Sequence, residues 1–195
     1  MRLVVLTLGA LALCASVSGC DVLRGASGSA TTTAPAPAPR ASTSTSTPTP
    51  TSRTTTRGPA PVPSAAKQKS KSGAATFTKF FFQQFNRSQT EANPALLRPL
   101  YLDACKPCAA YTDGAQALKD NSQHYADPPF AVGTITADTL KDDTATVITE
   151  VNQQAAPVVD ANGIIVATAT QRDSKFLVSL TFDQGWKISN IEIIT

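Results

Sequence analysis

The aromatic residues of this 195-residue chain are confined to its C-terminal part. All twelve lie at or after Phe77, so no earlier segment carries the large rings that commonly anchor a hydrophobic core. Segment 21–72 instead holds eight of the fourteen prolines and twenty Ser or Thr residues. Because such a segment cannot bury enough apolar surface to offset the entropy of ordering, we expect folding only beyond it.

The first twenty residues resemble a bacterial lipoprotein signal. Arg2 precedes an apolar stretch of about 15 residues, which is shorter than the roughly 20 that a membrane-spanning helix needs. Val17, Ser18, Gly19 and Cys20 follow in the order aliphatic, small, small and cysteine, which resembles a lipobox. The resemblance implies cleavage before Cys20 and a lipid on its thiol. An uncleaved membrane helix and an ordinary signal peptide are the alternatives.

The chain therefore divides into three predicted parts. They are a signal peptide at 1–19, a lipidated Cys20 with a disordered linker at 20–72, and a folded domain at 73–195. Lipidation would anchor the protein to the extracytoplasmic face of the cell membrane without spanning it. The linker would act as a tether between the lipid and the domain.

The charge of the predicted domain argues against nucleic acid as a partner. Residues 73–195 carry nine basic and thirteen acidic side chains, which gives a net charge of −4. A domain of this sign would repel phosphate rather than attract it.

Residues 73–195 predict helices first and antiparallel strands afterwards. The first helix, over about residues 74–90, places Phe77, Phe81 and Phe85 on one face. A short second helix follows Asn93, and a third helix covers about residues 107–123. Alternating residues and turn signals predict strands at 130–140, 144–154, 158–159, 164–166, 175–183 and 186–194, with a bulge near 189–190. The predicted fold class is α+β, with N-terminal helices packed on a curved, cone-like antiparallel sheet.

This order of elements is similar to that of the nuclear transport factor 2-like superfamily. The resemblance is carried by the Phe-rich first helix, the two further helices and the hairpins ending in Phe-Asp-Gln-Gly-Trp-Lys-Ile-Ser-Asn-Ile-Glu-Ile at 182–193. With the lipobox and the tether, the whole chain resembles an actinobacterial lipoprotein family of uncharacterised role. The superfamily resemblance implies isomerases, dehydratases or non-enzymatic binding and assembly domains. No catalytic residue of those enzymes can be matched to this chain.

An apolar ligand inside the cone is one hypothesis for the aromatic residues. The candidate lining residues are Phe77, Phe81, Phe85, Tyr111 and Trp186. The simpler interpretation is that the phenylalanine face is ordinary core. No cofactor and no metal site are implied, because His124, the only histidine, is expected to be exposed.

The pair Cys105 and Cys108 is the one chemical motif of the domain. Outside the cytoplasm disulfides persist, and residues three apart at the start of a helix lie within bonding range. A structural disulfide is the preferred interpretation. A redox pair of the Cys-x-x-Cys type is an alternative, since helix N-termini lower cysteine pKa values. A zinc site is a weaker alternative, because a structural zinc site needs four ligands and this motif supplies only two.

These features predict a surface-tethered, non-catalytic binding or accessory module at the cell envelope. Its partners would be the membrane through Cys20 and a cell-wall polymer, an envelope protein or a small apolar ligand. A first alternative is an extracytoplasmic thiol–disulfide protein, which requires an exposed sulfur on the cysteine pair. A second is a cavity enzyme of the isomerase or dehydratase type, which requires an Asp or Tyr with a perturbed pKa inside the cone, such as Tyr101 or Tyr111 beside a buried Asp103.

Overall fold

A computed structural model of the chain describes residues 58–194. The chain divides into the units Met1–Pro50 and Thr51–Thr195, and every described residue belongs to the second. The predicted signal peptide, Cys20 and the linker as far as residue 57 lie outside the described residues. Between residues 58 and 194, no helix is both long enough and apolar enough to cross a membrane.

Two α-helices precede the sheets. Helix α1 spans Lys71–Thr90 and helix α2 spans Lys106–Asp120. The Ser70 hydroxyl caps α1 by accepting a hydrogen bond from the N–H of Gly73. The short second helix of the prediction is instead a pair of 3₁₀ turns, Pro94–Leu96 and Arg98–Leu100. Pro99 contributes to the break between the two turns, because it has no N–H to donate to the carbonyl oxygen of Ala95 and so cannot continue an α-helix.

Within residues 58–194, seven strands form two antiparallel sheets. Their bounds are β1 His124–Tyr125, β2 Phe130–Lys141, β3 Thr144–Gln153, β4 Pro157–Val159, β5 Ile165–Thr168, β6 Arg172–Phe182 and β7 Trp186–Ile194. The larger sheet has the order β2-β3-β6-β7, and the smaller has the order β1-β4-β5. All pairings between these seven strands are antiparallel, and together with the helices they confirm the predicted α+β class.

The predicted bulge is also present. Along the β6–β7 ladder, Ser179 pairs with Asn190 whereas Leu180 pairs with Ile188, so Ser189 is the extra residue. An extra residue bends a strand and increases its local twist. The bulge therefore helps the sheet to curve.

The core lies between α1 and the larger sheet. Phe80, Phe81 and Phe82 are at most 4% exposed. Consecutive residues lie about 100° apart around a helix, so three in a row cover about 200° of its circumference. Phe82 is fully buried and stacks on Phe176 at 6.1 Å between ring centroids. The sheet and the other elements packed on α1 together cover more than half of its circumference.

The domain begins earlier than the sequence predicts. Residues 58–70, which we call the docked segment, contact the core, and Ala66 within a 3₁₀ turn is fully buried. The indole N–H of Trp186 donates a hydrogen bond to the carbonyl oxygen of Gln68 at 2.8 Å. Contacts with the core thus begin before residue 73, through small side chains such as Ala66 whose contribution composition does not reveal.

Gly73 shows how closely the docked segment approaches α1. A Cβ atom at this position would lie 2.0 Å from the carbonyl oxygen of Gln68. We expect Gly73→Ala to lower the free energy of unfolding by about 1–3 kcal/mol, because the backbone must move. Gly114→Ala in α2 is the matched control, because nothing lies within 4 Å of a Cβ atom added at this position. This substitution should raise the free energy of unfolding by up to about 1 kcal/mol.

Urea unfolding followed by Trp186 fluorescence measures both variants, because Trp186 is the only tryptophan and contacts the docked segment. Stabilisation by both substitutions would contradict the close approach.

Candidate functional site

The two cysteines form a disulfide at the start of α2. Their Cα atoms lie 5.3 Å apart, and both residues are fully buried. Cys105 is the N-cap of α2, and its sulfur accepts a hydrogen bond from the N–H of Cys108 at 3.3 Å. The redox hypothesis requires an exposed sulfur, and this geometry does not provide one.

Polar contacts extend the disulfide into a connection between α2 and β7. The Thr112 hydroxyl donates to the carbonyl oxygen of Cys108 at 3.1 Å and lies 3.0 Å from the Tyr101 hydroxyl. Tyr101 forms a bridge with Ile188 of β7, and the N–H of Leu102 donates to the Ile188 carbonyl. The disulfide therefore fixes the loop that joins the helix to the sheet, which is a structural task.

The five predicted cavity residues lie in or against the packed core. Phe77, Phe81, Phe85 and Trp186 are at most 5% exposed. Tyr111 is half-buried, and its ring lies 4.8 Å from that of Phe85. These rings pack against other protein side chains. This packing agrees with the interpretation of the phenylalanine face as ordinary core.

The proposed acid–base pair of a cavity enzyme is not assembled. Asp103 is exposed, whereas the enzymatic hypothesis requires it to be buried beside a tyrosine. Burial raises the pKa of Tyr111 above its ordinary value. His124 is half-buried in β1 and pairs with Val159, so the expectation that it is exposed is wrong. The two-residue strand that contains it is too short for sequence periodicity to reveal.

The structure places an open groove of about 550 Å³ across β2, β3 and β6. The groove is lined by Ala131, Val132, Gly133, Glu150, Val151, Asn152, Asp173, Ser174 and Lys175. Its polar side chains alternate along β3 and β6 with buried residues such as Thr149 and Phe176. They therefore point away from the core, and the groove lies on the outer face of the sheet.

Strand register explains why these residues meet. Ala131, Asn152 and Asp173 form one row across the three strands. Glu150 pairs with Lys175 in the next row, and a Cβ atom on Gly133 would lie 3.5 Å from that of Glu150. The residues on β2 are small, so that side of the groove stays open.

The groove surface is largely apolar, and the polar side chains around it are partly paired with one another. The Lys175 ammonium lies 3.6 Å from a Glu150 carboxylate oxygen, and both side chains are about half exposed. The Asn152 amide donates a hydrogen bond to Asp173, and Gln154 donates to Asn152. The result is two carboxylates, one ammonium and amide groups that can bind a polar partner. Sequence reasoning missed this set, because alternation predicts outward residues but not which strands are neighbours.

Comparisons with known proteins identify the family of this chain and find solved structures that are distantly similar to it. A family model described as "Family of unknown function (DUF6318)" matches residues 48–192. The intermembrane space region of the chloroplast protein ARC6 is 14% identical over 62% of this chain and 96% of its own, with a TM-score of 0.45. The protein Aln2 from a Streptomyces species is 13% identical over 60% of this chain and 85% of its own, with a TM-score of 0.40.

Both TM-scores lie below 0.5, so the description of the fold depends on the strands and helices of this chain. A search of curated proteins finds no match.

The burial of the disulfide predicts its chemical behaviour. Reduced glutathione should leave Cys105–Cys108 intact in the native chain and reduce it once urea has unfolded the chain, because the thiolate must reach a buried sulfur. We expect a reduction potential below about −300 mV, as is typical of structural disulfides. Alkylation followed by peptide mass spectrometry measures both. A potential near −120 to −200 mV, roughly that of exchanging pairs, would favour the redox hypothesis instead.

Proposed function

We propose that this chain, which belongs to the family of unknown function DUF6318, is a non-catalytic binding module tethered to the outer face of the cell membrane. The observation that carries the proposal is the location of the accessible site. Aromatic side chains fill the helix side of the sheet, whereas the open groove lies on its outer face. A binding surface on the outside of a filled core suits a large partner better than an enclosed small molecule.

The chemistry of the groove indicates the kind of partner. Glu150 and Asp173 offer carboxylates, Lys175 offers an ammonium, and Asn152 offers an amide. Carboxylates and amides accept hydrogen bonds from amino and hydroxyl groups. We therefore propose an envelope partner rich in such groups, which is either a cell-wall polymer or an exposed segment of an envelope protein. The groove contains no cysteine and no histidine, so neither the redox alternative nor a His-dependent enzyme gains support from it.

The proposed anchor follows from the lipobox-like sequence that ends at Cys20. A thiol-linked diacylglyceryl group would place the module on the extracytoplasmic face, and the Ser/Thr/Pro-rich linker would separate it from the lipid. This arrangement places a binding module within reach of the wall while it stays attached to the membrane.

Substitution of the cysteine tests the anchor. Cys20→Ala should abolish incorporation of radiolabelled glycerol or palmitate and release the protein from the membrane fraction, because the acceptor thiol is gone. Cys14→Ala is the control, since Leu13 before it is a bulky residue at the position where a lipobox has a small one. Retention of the lipid label by Cys20→Ala would contradict the anchor.

Co-sedimentation with isolated cell walls tests the groove. The double variant Asp173→Ala/Lys175→Ala should reduce binding by about a hundredfold or more, since loss of hydrogen bonds to charged groups costs roughly 1.5–3 kcal/mol each. The double variant Lys119→Ala/Asp120→Ala removes the same charges from exposed positions on α2 and should bind normally.

Equal binding by both double variants would exclude the groove as the contact surface. If the unaltered chain fails to bind walls, the wall polymer is excluded as the partner.

A further inference from the structure

The groove on the outer face of the sheet contains one carboxylate that no cation balances. The Asp173 carboxylate accepts a hydrogen bond from the Asn152 amide, and within residues 58–194 it forms no ion pair. Glu150, by contrast, lies 3.6 Å from the Lys175 ammonium. The three charged side chains that line the groove therefore sum to −1, and the uncompensated charge is at Asp173. A ligand with a cationic group would complement it.

Asp173 is oriented and still able to accept further hydrogen bonds. The Gln154 side chain donates to the Asn152 Oδ1 atom, so the Asn152 Nδ2 atom is the one that faces Asp173. These amides orient the carboxylate without neutralising it. An ionised carboxylate has about four lone-pair sites, and Asn152 uses one of them. The remaining sites suit an ammonium group, which has donors and no acceptor.

Lys175 supplies the opposite charge on the same face of the sheet. It lies two residues from Asp173 on β6, so their Cα atoms are about 6.6 Å apart at the usual rise of a strand. Its ion pair with Glu150 is half exposed, and exposed pairs of this kind contribute little to stability. An ammonium has three donors, so Lys175 can bind a second carboxylate while it stays paired with Glu150. The groove thus offers a carboxylate and an ammonium side by side.

The apolar part of the groove distinguishes between a glycan and a peptide. Most of the groove surface is apolar, and four lining residues have no polar side-chain atom, namely Ala131, Val132, Gly133 and Val151. A glycan carries hydroxyl groups around each ring, and these would lose water in the groove without gaining hydrogen bonds. A peptide carries alkyl groups, whose burial against an apolar surface is favourable. The lining therefore favours a peptide.

We propose that the groove binds a cell-wall peptide at a residue that has both a free ammonium and a free carboxylate. The ammonium contacts Asp173, the carboxylate contacts Lys175, and the alkyl part lies on the apolar lining. Residues inside a protein chain have their α-amino and α-carboxyl groups in peptide bonds, so an exposed protein segment does not present this pair of charges, whereas the branched peptides of a wall do. This inference rests on the proposed wall-binding function and specifies the group that the groove recognises.

Co-sedimentation of the purified full chain with chemically modified cell walls tests the proposal. Acetylation converts the free amines of the wall peptides into neutral amides, and we expect it to weaken binding about tenfold or more, since a hydrogen bond between charged groups is lost. Removal of the peptides by an amidase that leaves the glycan intact should weaken binding at least as much. A glycan without peptides that binds as well as the whole wall would contradict the proposal.

Two single substitutions assign each charge to its contact. Asp173→Asn keeps the shape of the side chain but removes its charge, so this variant should bind untreated walls about tenfold more weakly and should no longer respond to acetylation. Lys175→Met should likewise bind more weakly and should no longer respond to amidation of the wall carboxylates. Asp113→Asn and Lys119→Met, on α2, are the matched controls and should behave like the unaltered chain. All four positions are exposed, so the substitutions leave the core intact.

The outcomes separate this inference from the function on which it rests. If acetylated and untreated walls bind the unaltered chain equally while Asp173→Ala/Lys175→Ala binds weakly, the groove remains the wall-binding surface and the peptide contact is wrong. If acetylation weakens Asp173→Asn as much as the unaltered chain, the ammonium contact belongs to another residue and the proposal fails. If the unaltered chain does not bind untreated walls, both the inference and the wall-binding function are wrong.

Discussion

The packing of one phenylalanine-rich helix inside a curved sheet is the constraint on which the other features depend. Because Phe80, Phe81 and Phe82 occupy about 200° of the surface of α1, a flat sheet could not cover them all. The larger sheet curves through irregularities, at Ser189 on β7 and between Val132 and Ile135 on β2. The β2 irregularity contains Gly133, which lines the groove. The bend that covers the core thus also shapes the outer surface.

Local patterns in the sequence predicted most of the architecture, and long-range contacts explain what they missed. The strand alternation, the turns and the bulge at Ser189 depend on neighbouring residues, so the sequence reveals them. The docked segment does not follow from composition, because it is held partly by a contact more than a hundred residues away, the hydrogen bond from Trp186 to the Gln68 carbonyl. The groove likewise requires the register that aligns Asn152 with Asp173 across two strands. Its residue types were visible, but their proximity was not.

The cysteine pair shows why a motif alone does not determine a role. The same Cys-x-x-Cys spacing at a helix start suits either a reactive thiol or a structural bond. In this chain Cys105 and Cys108 are both fully buried, and Thr112 and Tyr101 connect them to β7. A sulfur enclosed in this way is shielded from an attacking thiolate. Burial, which the spacing does not encode, therefore distinguishes the two interpretations.

The docked segment and the groove lie at opposite ends of the larger sheet. Lys69 forms an ion pair with Asp143 at the β2–β3 turn, and Trp186 pairs with Phe182 at the same end. The groove residue Asn152 lies eight residues along β3 from Thr144, a distance of about 27 Å at the usual rise of a strand. The C-terminal part of the docked segment, at Gln68 and Lys69, therefore lies at the end of the sheet far from the groove.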